Sequence, residues 1–218
     1  MESKAKMTKN DPIRKLATLA MLAALAYVVM LVLRVPIMPS APFLKYDAKD
    51  VILCVAGFLY GPIEGAVLSL IVATLEMVSV GTTGPWGLLM NFLASAAFVC
   101  TASLVYRWKH TLPGAILGLA CGMVMMTGSM LLWNWLVTPI YQGMPREAVA
   151  QMLVPVFLPF NLMKSGLNTV LTLLIYKPVT IALRLAKLVP PSASETERKP
   201  RETGDTGTEK GSGKEEAK

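Results

Sequence analysis

Three stretches of this chain, residues 16–33, 77–106 and 111–145, contain no Asp, Glu, Lys or Arg. Each approaches or exceeds the roughly 20 apolar residues that carry a helix across a hydrocarbon core of about 30 Å. Runs of this kind predict membrane-crossing helices. They also decide how the charge is read. The net charge of +7 raises a nucleic-acid-binding protein as the first hypothesis. The charges avoid the middle of the chain, however, so no continuous basic surface can form there. With 54% hydrophobic and 16% charged residues, against about a quarter charged in soluble domains, the composition excludes a water-soluble globule, a disordered chain and a secreted disulfide scaffold.

Cys54, Cys100 and Cys121 all lie in apolar surroundings without CxxC spacing and read as small packing residues. His110 is the single histidine, so a histidine-based metal site is not expected, and neither is a catalytic centre or bound cofactor. The first apolar run is followed by Arg34-Val35-Pro36 rather than a small-residue cleavage site, which argues against a signal peptide.

Three zones follow: a basic cytoplasmic segment (1–15), a membrane domain (16–188) and a polar tail (189–218) expected to be disordered. Within the domain, helices are predicted over 14–34, 48–60, 63–80, 86–107, 112–137 and 156–184. The second covers only about 20 Å at roughly 1.5 Å per residue. Gly61-Pro62 after it reads equally as a turn or as a kink in one longer helix. With six spans, Lys4, Lys6, Lys9, Arg14, Lys15, Arg107, Lys109, Lys177, Arg184 and Lys187 share one side, and only Arg34, Lys45, Lys49 and Arg146 the other. That is the cytoplasmic excess of a correctly oriented protein. The expected fold is therefore an all-α, six-helix integral membrane bundle with both termini cytoplasmic.

Polar groups at bilayer depth need a partner or a role. Glu76, Asn91, Asn134, Asn161, Lys164 and Asn168 are the candidates. Lys164 is the one basic residue expected at depth, and no arginine is expected there. Spacings of three and four residues place Asn161, Lys164 and Asn168 within an arc of about 60° on one helix face. Such a stripe can be helix–helix glue, with Lys164 paired to Glu76, or a cavity for a small polar molecule. Its clustering favours the cavity.

The segment 35–47, stiffened by Pro36, Pro39 and Pro42 and carrying Phe43, Leu44 and Tyr46, reads as a lid or as an interfacial loop. Trp133, Trp135 and Tyr141 read first as an aromatic belt and second as a stacking platform. Ala20 and Ala24 form a small-xxx-small pair that suits either internal packing or a partner membrane protein.

The runs Phe43 to Asp50, Gly57 to Pro62, Gly84-Pro85, Asn91 to Ala94, Leu132-Trp133-Asn134 and Pro159 to Gly166, in this order, resemble the riboflavin-specific S components of energy-coupling factor (ECF) vitamin transporters. The resemblance covers everything except the tail. It implies a membrane subunit of a bacterial cytoplasmic membrane that captures riboflavin from outside. Its partner would be a separate module of a transmembrane coupling protein and two ATPases. It further implies polar ligand contacts at Asn134, Asn161 and Lys164, a lining that includes Leu44, Gly84 and Asn91, and docking through Ala20 and Ala24.

Riboflavin is a neutral molecule with a uracil-like edge and a chain of hydroxyls, which amides and an ammonium can satisfy. Glu76 has no place in the pattern and is left as a ligand contact or a charge partner, as is Asn168. The chain contains no GxxxxGK[ST] loop, so ATP hydrolysis is not its own. Alternatives are an S component for thiamine, folate or pantothenate, and a membrane scaffold without a transport role. An intramembrane enzyme is disfavoured by the lack of a histidine pair, of paired aspartates and of a Ser-His dyad at depth.

Overall fold

A computed structural model describes residues 12–39, 41–108 and 110–185. The polar tail, the first eleven residues and Lys109 lie outside the described residues. Among the described residues seven α-helices follow in order: α1 (Pro12–Val32), α2 (Lys49–Tyr60), α3 (Pro62–Ser79), α4 (Gly84–Trp108), α5 (Leu112–Gln142), α6 (Arg146–Met152) and α7 (Leu158–Leu185). Between α1 and α2 the chain forms a small antiparallel ladder of β1 (Val35–Pro36) and β2 (Lys45–Tyr46), pairing Val35 with Tyr46 and Pro36 with Lys45. The proline-rich segment is thus a hairpin with a fixed stem, not an open loop.

Among the described residues, five helical segments are long and apolar enough to cross a membrane: α1, α3, α4, α5 and the run from α6 into α7. The six predicted helices are all present, and α6 is an addition. It joins α7 through a π-helical turn, Leu153–Phe157. Pro155 inside this turn and Pro159 just after it supply no N–H, so the ordinary ladder is interrupted and the backbone widens. The fifth helix runs on to Gln142 through Pro139 and stops at Gly143, whose left-handed φ of 66° suits a glycine.

The short α2 occupies the centre. Every residue from Lys49 to Phe58 is buried, enclosed by α1, α3, α4 and α7. A helix wrapped in protein need not match the bilayer thickness, which explains its length. Gly61-Pro62 is a turn rather than a kink. Gly61 has φ 122°, closed to other residues, and Pro62 opens α3. The chain doubles back so tightly that a Cβ on Gly65 would stand 3.5 Å from Gly57 Cα.

Close approach also sets the α4–α5 pair. A Cβ on Gly118 would lie 2.6 Å from the Ala102 carbonyl oxygen, and one on Gly122 2.8 Å from that of Phe98. Small residues allow these backbones into contact, as in membrane helix pairs generally. On α1, Leu22, Ala26 and Met30 are buried against α2 and α3, whereas Ala20 and Ala24 are exposed. Internal packing of that alanine pair is therefore not what the fold uses it for.

Candidate functional site

Beneath the hairpin lies a cavity of about 410 Å³, within the range of roughly 300–1,000 Å³ usual for small-molecule sites. Phe43, Leu44, Lys45 and Asp47 cover it from the hairpin. Glu76 reaches it from α3, Met90 and Asn91 from α4, Met126, Met130 and Asn134 from α5, and Phe160, Asn161 and Lys164 from α7. Apolar Met, Phe and Leu side chains share this lining with the polar groups.

Leu44, Asn91, Asn134, Asn161 and Lys164 are thus brought together at one cavity. Gly84 is not among its lining residues. It starts α4 with φ 56°, and its neighbours Thr83 and Gly87 line the mouth instead. Tyr141 also lines the cavity, while Trp135 is on the outside with the Arg146 guanidinium 5.6 Å from its ring centre.

The two deep amides are held by their own helices. Asn134 Nδ2 donates to the Met130 carbonyl at 2.7 Å, and its Oδ1 accepts from Thr138 Oγ1 at 3.0 Å. Asn161 Nδ2 donates to the Phe157 carbonyl at 2.8 Å, one of the groups presented by the widened π turn. Each amide nitrogen carries a second hydrogen. These bonds hold the side chains in place and leave that hydrogen as a further donor.

The charged groups are arranged differently from the expectation. Lys164 does not pair with Glu76. Its Nζ lies 2.9 Å from Asp47 Oδ2 at the stem of the hairpin. Glu76 is instead bonded by Lys49 Nζ at 2.8 Å and Asn91 Nδ2 at 3.1 Å, with Arg34 Nη2 at 3.5 Å. Lys49 also stands 3.1 Å from Asp47 Oδ1, an ion pair whose angles fall short of a hydrogen bond.

Lys49, placed by sequence among the flanking charges, is wholly buried, so Lys164 is not the only basic residue at depth. Arg34 lines the cavity and donates to the Val80 carbonyl at 3.1 Å, so the site does contain an arginine. The reason is geometric. The start of α2 is drawn inside the bundle, taking Asp47, Lys49 and Asp50 with it.

Burial alone would raise the Asp47 carboxyl, but the Lys164 and Lys49 ammoniums beside it hold it well below the usual carboxylate range. It stands as the counter-ion shared by both ammoniums. Asn168, one turn beyond Lys164, faces away from the cavity. Its Oδ1 accepts from Tyr46 Oη at 3.1 Å and its Nδ2 donates to Asp50 Oδ2 at 3.1 Å, while Ser95 Oγ donates to Asp50 Oδ1 at 2.5 Å. Adjacent residues of the hairpin stem, Tyr46 and Asp47, thus grip two successive turns of α7. The stripe on α7 is both cavity wall and anchor.

Asp47, Lys49 and Asp50 are the residues that sequence reasoning missed. A signal existed. Their alternation with Tyr46 and Ala48 directly before an apolar run too short to span a bilayer marks a segment that enters protein rather than lipid.

The family model described as ECF transporter, substrate-specific component, matches residues 14–176. The riboflavin transporter RibU of Staphylococcus aureus (strain TCH60) is 30% identical over 150 residues, covering 66% of this chain and 77% of that protein. The riboflavin transporter FmnP of Bacillus subtilis (strain 168) is 29% identical over 148 residues, covering 63% and 78%. A solved structure of the S component of a bacterial ECF transporter aligns with a TM-score of 0.69 and 29% identity, over 79% of this chain and 99% of that one. Five membrane-crossing segments around a buried short helix, a hairpin-covered polar cavity and a family match over most of the described residues lead to one assignment: the chain belongs to the substrate-specific components of ECF transporters.

Proposed function

We propose that this protein is the riboflavin-binding subunit of an ECF-type importer in a bacterial cytoplasmic membrane. The observation that carries the reading is the cavity itself, where two helix-held amides and the Lys164 ammonium share the lining with apolar side chains. A flat ring system fits against Met and Phe. Its carbonyl edge and a hydroxylated chain accept from Asn134, Asn161 and Lys164, and the hydroxyls donate to the two amide oxygens. Relatives named as riboflavin transporters at about 30% identity point to the same ligand.

The cavity lies under the hairpin, which follows the C-terminal end of α1. With both termini cytoplasmic, as the distribution of Lys and Arg favours, riboflavin enters from outside. The chain has no phosphate-binding loop, so uptake is driven by a partner module comprising a membrane coupling protein and two ATPases. The subunit is a binding protein, not an enzyme. The test is ligand identification on the detergent-purified protein by flavin absorbance and fluorescence titration. Bound or titratable riboflavin is expected. A colourless preparation that takes up no flavin but binds thiamine, folate or pantothenate rejects the assignment.

A further inference from the structure

Six charged side chains with cancelling formal charges cluster at the cavity: Arg34, Asp47, Glu76 and Lys164 line it, and Lys49 and Asp50 are buried without lining it. Arg34, Lys49 and Lys164 are set against Asp47, Asp50 and Glu76. Asp47 occupies a particular place among them. It lines the cavity, bonds Lys164 at 2.9 Å and reaches Lys49 behind it at 3.1 Å. Asp47 and Lys164 are 3% and 5% exposed, so water does little to screen either charge. An ammonium at such a depth without a counter-ion would draw in an anion. With Asp47 in contact, the ammonium remains a hydrogen-bond donor while its field is cancelled.

We propose that Asp47 is a specificity-determining residue: by neutralising Lys164 it makes the cavity favour a neutral ligand that bonds through carbonyl and hydroxyl oxygens, and disfavour anionic analogues. The proposal rests on the riboflavin reading and deepens it. Neutrality is local to this cluster. Lys45, the other cation of the lining, sits in the hairpin strand at the half-exposed rim, where solvent screens it. One unit charge acting over about 10 Å at an effective dielectric constant near 20 changes affinity for a singly charged group on the order of tenfold. The discrimination is therefore measurable wherever in the cavity the anionic group lies.

The experiment titrates the full-length detergent-purified protein with riboflavin and with riboflavin 5′-phosphate at pH 7.5, where the ester carries close to two negative charges. The readout is the ratio of the two Kd values, which a merely structural role would leave unchanged. Asp47→Asn is expected to shift the ratio at least tenfold toward the phosphate ester, since the ester's two charges both feel the change. Asp47→Asn combined with Lys164→Met removes both charges and should return it to within about threefold of wild type.

An unchanged ratio in Asp47→Asn overturns the proposal. If that single variant does not fold, the double variant decides. A ratio near wild type supports the pairing, whereas a tenfold shift against the ester, or a double variant that fails to fold, overturns it. Wild-type protein that takes up no flavin overturns the riboflavin reading and this inference together. A flavin-binding wild type with an unresponsive ratio overturns only the role of Asp47.

Discussion

Lys164 and Lys49 are both buried ammoniums, yet they call for opposite predictions. Lys164 lines the cavity, and Asp47 retains Lys49 when Lys164 is lost. Lys164→Ala should therefore leave the fold intact and weaken riboflavin binding more than tenfold. That follows from the roughly 1.5–3 kcal/mol of a hydrogen bond to a charged group. An unchanged Kd by fluorescence titration removes Lys164 from the ligand contacts. Lys49 does not line the cavity and bridges Asp47 and Glu76. Lys49→Met removes the fully buried cation shared by two carboxylates, leaving Asp47 only Lys164 and Glu76 only Asn91 and the longer Arg34 contact, a loss on the order of 3 kcal/mol by analogy with broken buried pairs. It should lower the thermal midpoint in detergent sharply, and a midpoint within a degree or two of wild type would count against the network. At this scale the sequence was readable for Asn134, Asn161 and Lys164, because each interrupts an otherwise apolar helix. Lys49 was misread because a charge beside a loop is ordinarily solvated, and only the tertiary fold draws it inside.

At the scale of elements, hydrophobic run length located the helices, while their ends followed local backbone chemistry. The π turn around Pro155 and the continuation through Pro139 depend on neighbouring helices to satisfy freed backbone groups, so no local pattern announces them. Helix pairing was hidden for a related reason. A glycine in an apolar run looks the same whether it faces lipid or another backbone. The structure separates the two cases. Gly118 has the Ala102 carbonyl oxygen at 2.6 Å from a would-be Cβ, whereas Gly128 has nothing within 4 Å. Gly118→Leu should force α4 and α5 apart and cost about 1–3 kcal/mol or more. Gly128→Ala should be tolerated. Parallel thermal melts in detergent check the pair, and equal stability of the two variants would mean that the α4–α5 contact is looser than described.

For the whole molecule, the cavity and the small-residue face of α1 are spatially divided. The cavity is built by the hairpin, α3, α4, α5 and α7, whereas α1 packs on α2 and α3 at the edge of the bundle. On that edge helix, Leu22, Ala26 and Met30 turn inward while Ala20 and Ala24 face out. The small-xxx-small pair was legible in the sequence, but its orientation was not, since Ala suits either side of a helix. An outward pair allows another backbone to approach closely, and it lies apart from the ligand groups. Binding and docking should therefore be separable by mutation. Ala20→Trp or Ala24→Trp is expected to leave the riboflavin Kd of the isolated subunit within about twofold. Co-purification with the coupling module, and riboflavin uptake in vesicles carrying the complete transporter, should both fall at least tenfold. Loss of binding and docking together would place the alanines in the bundle's own packing. Retention of both would move the docking surface to another face.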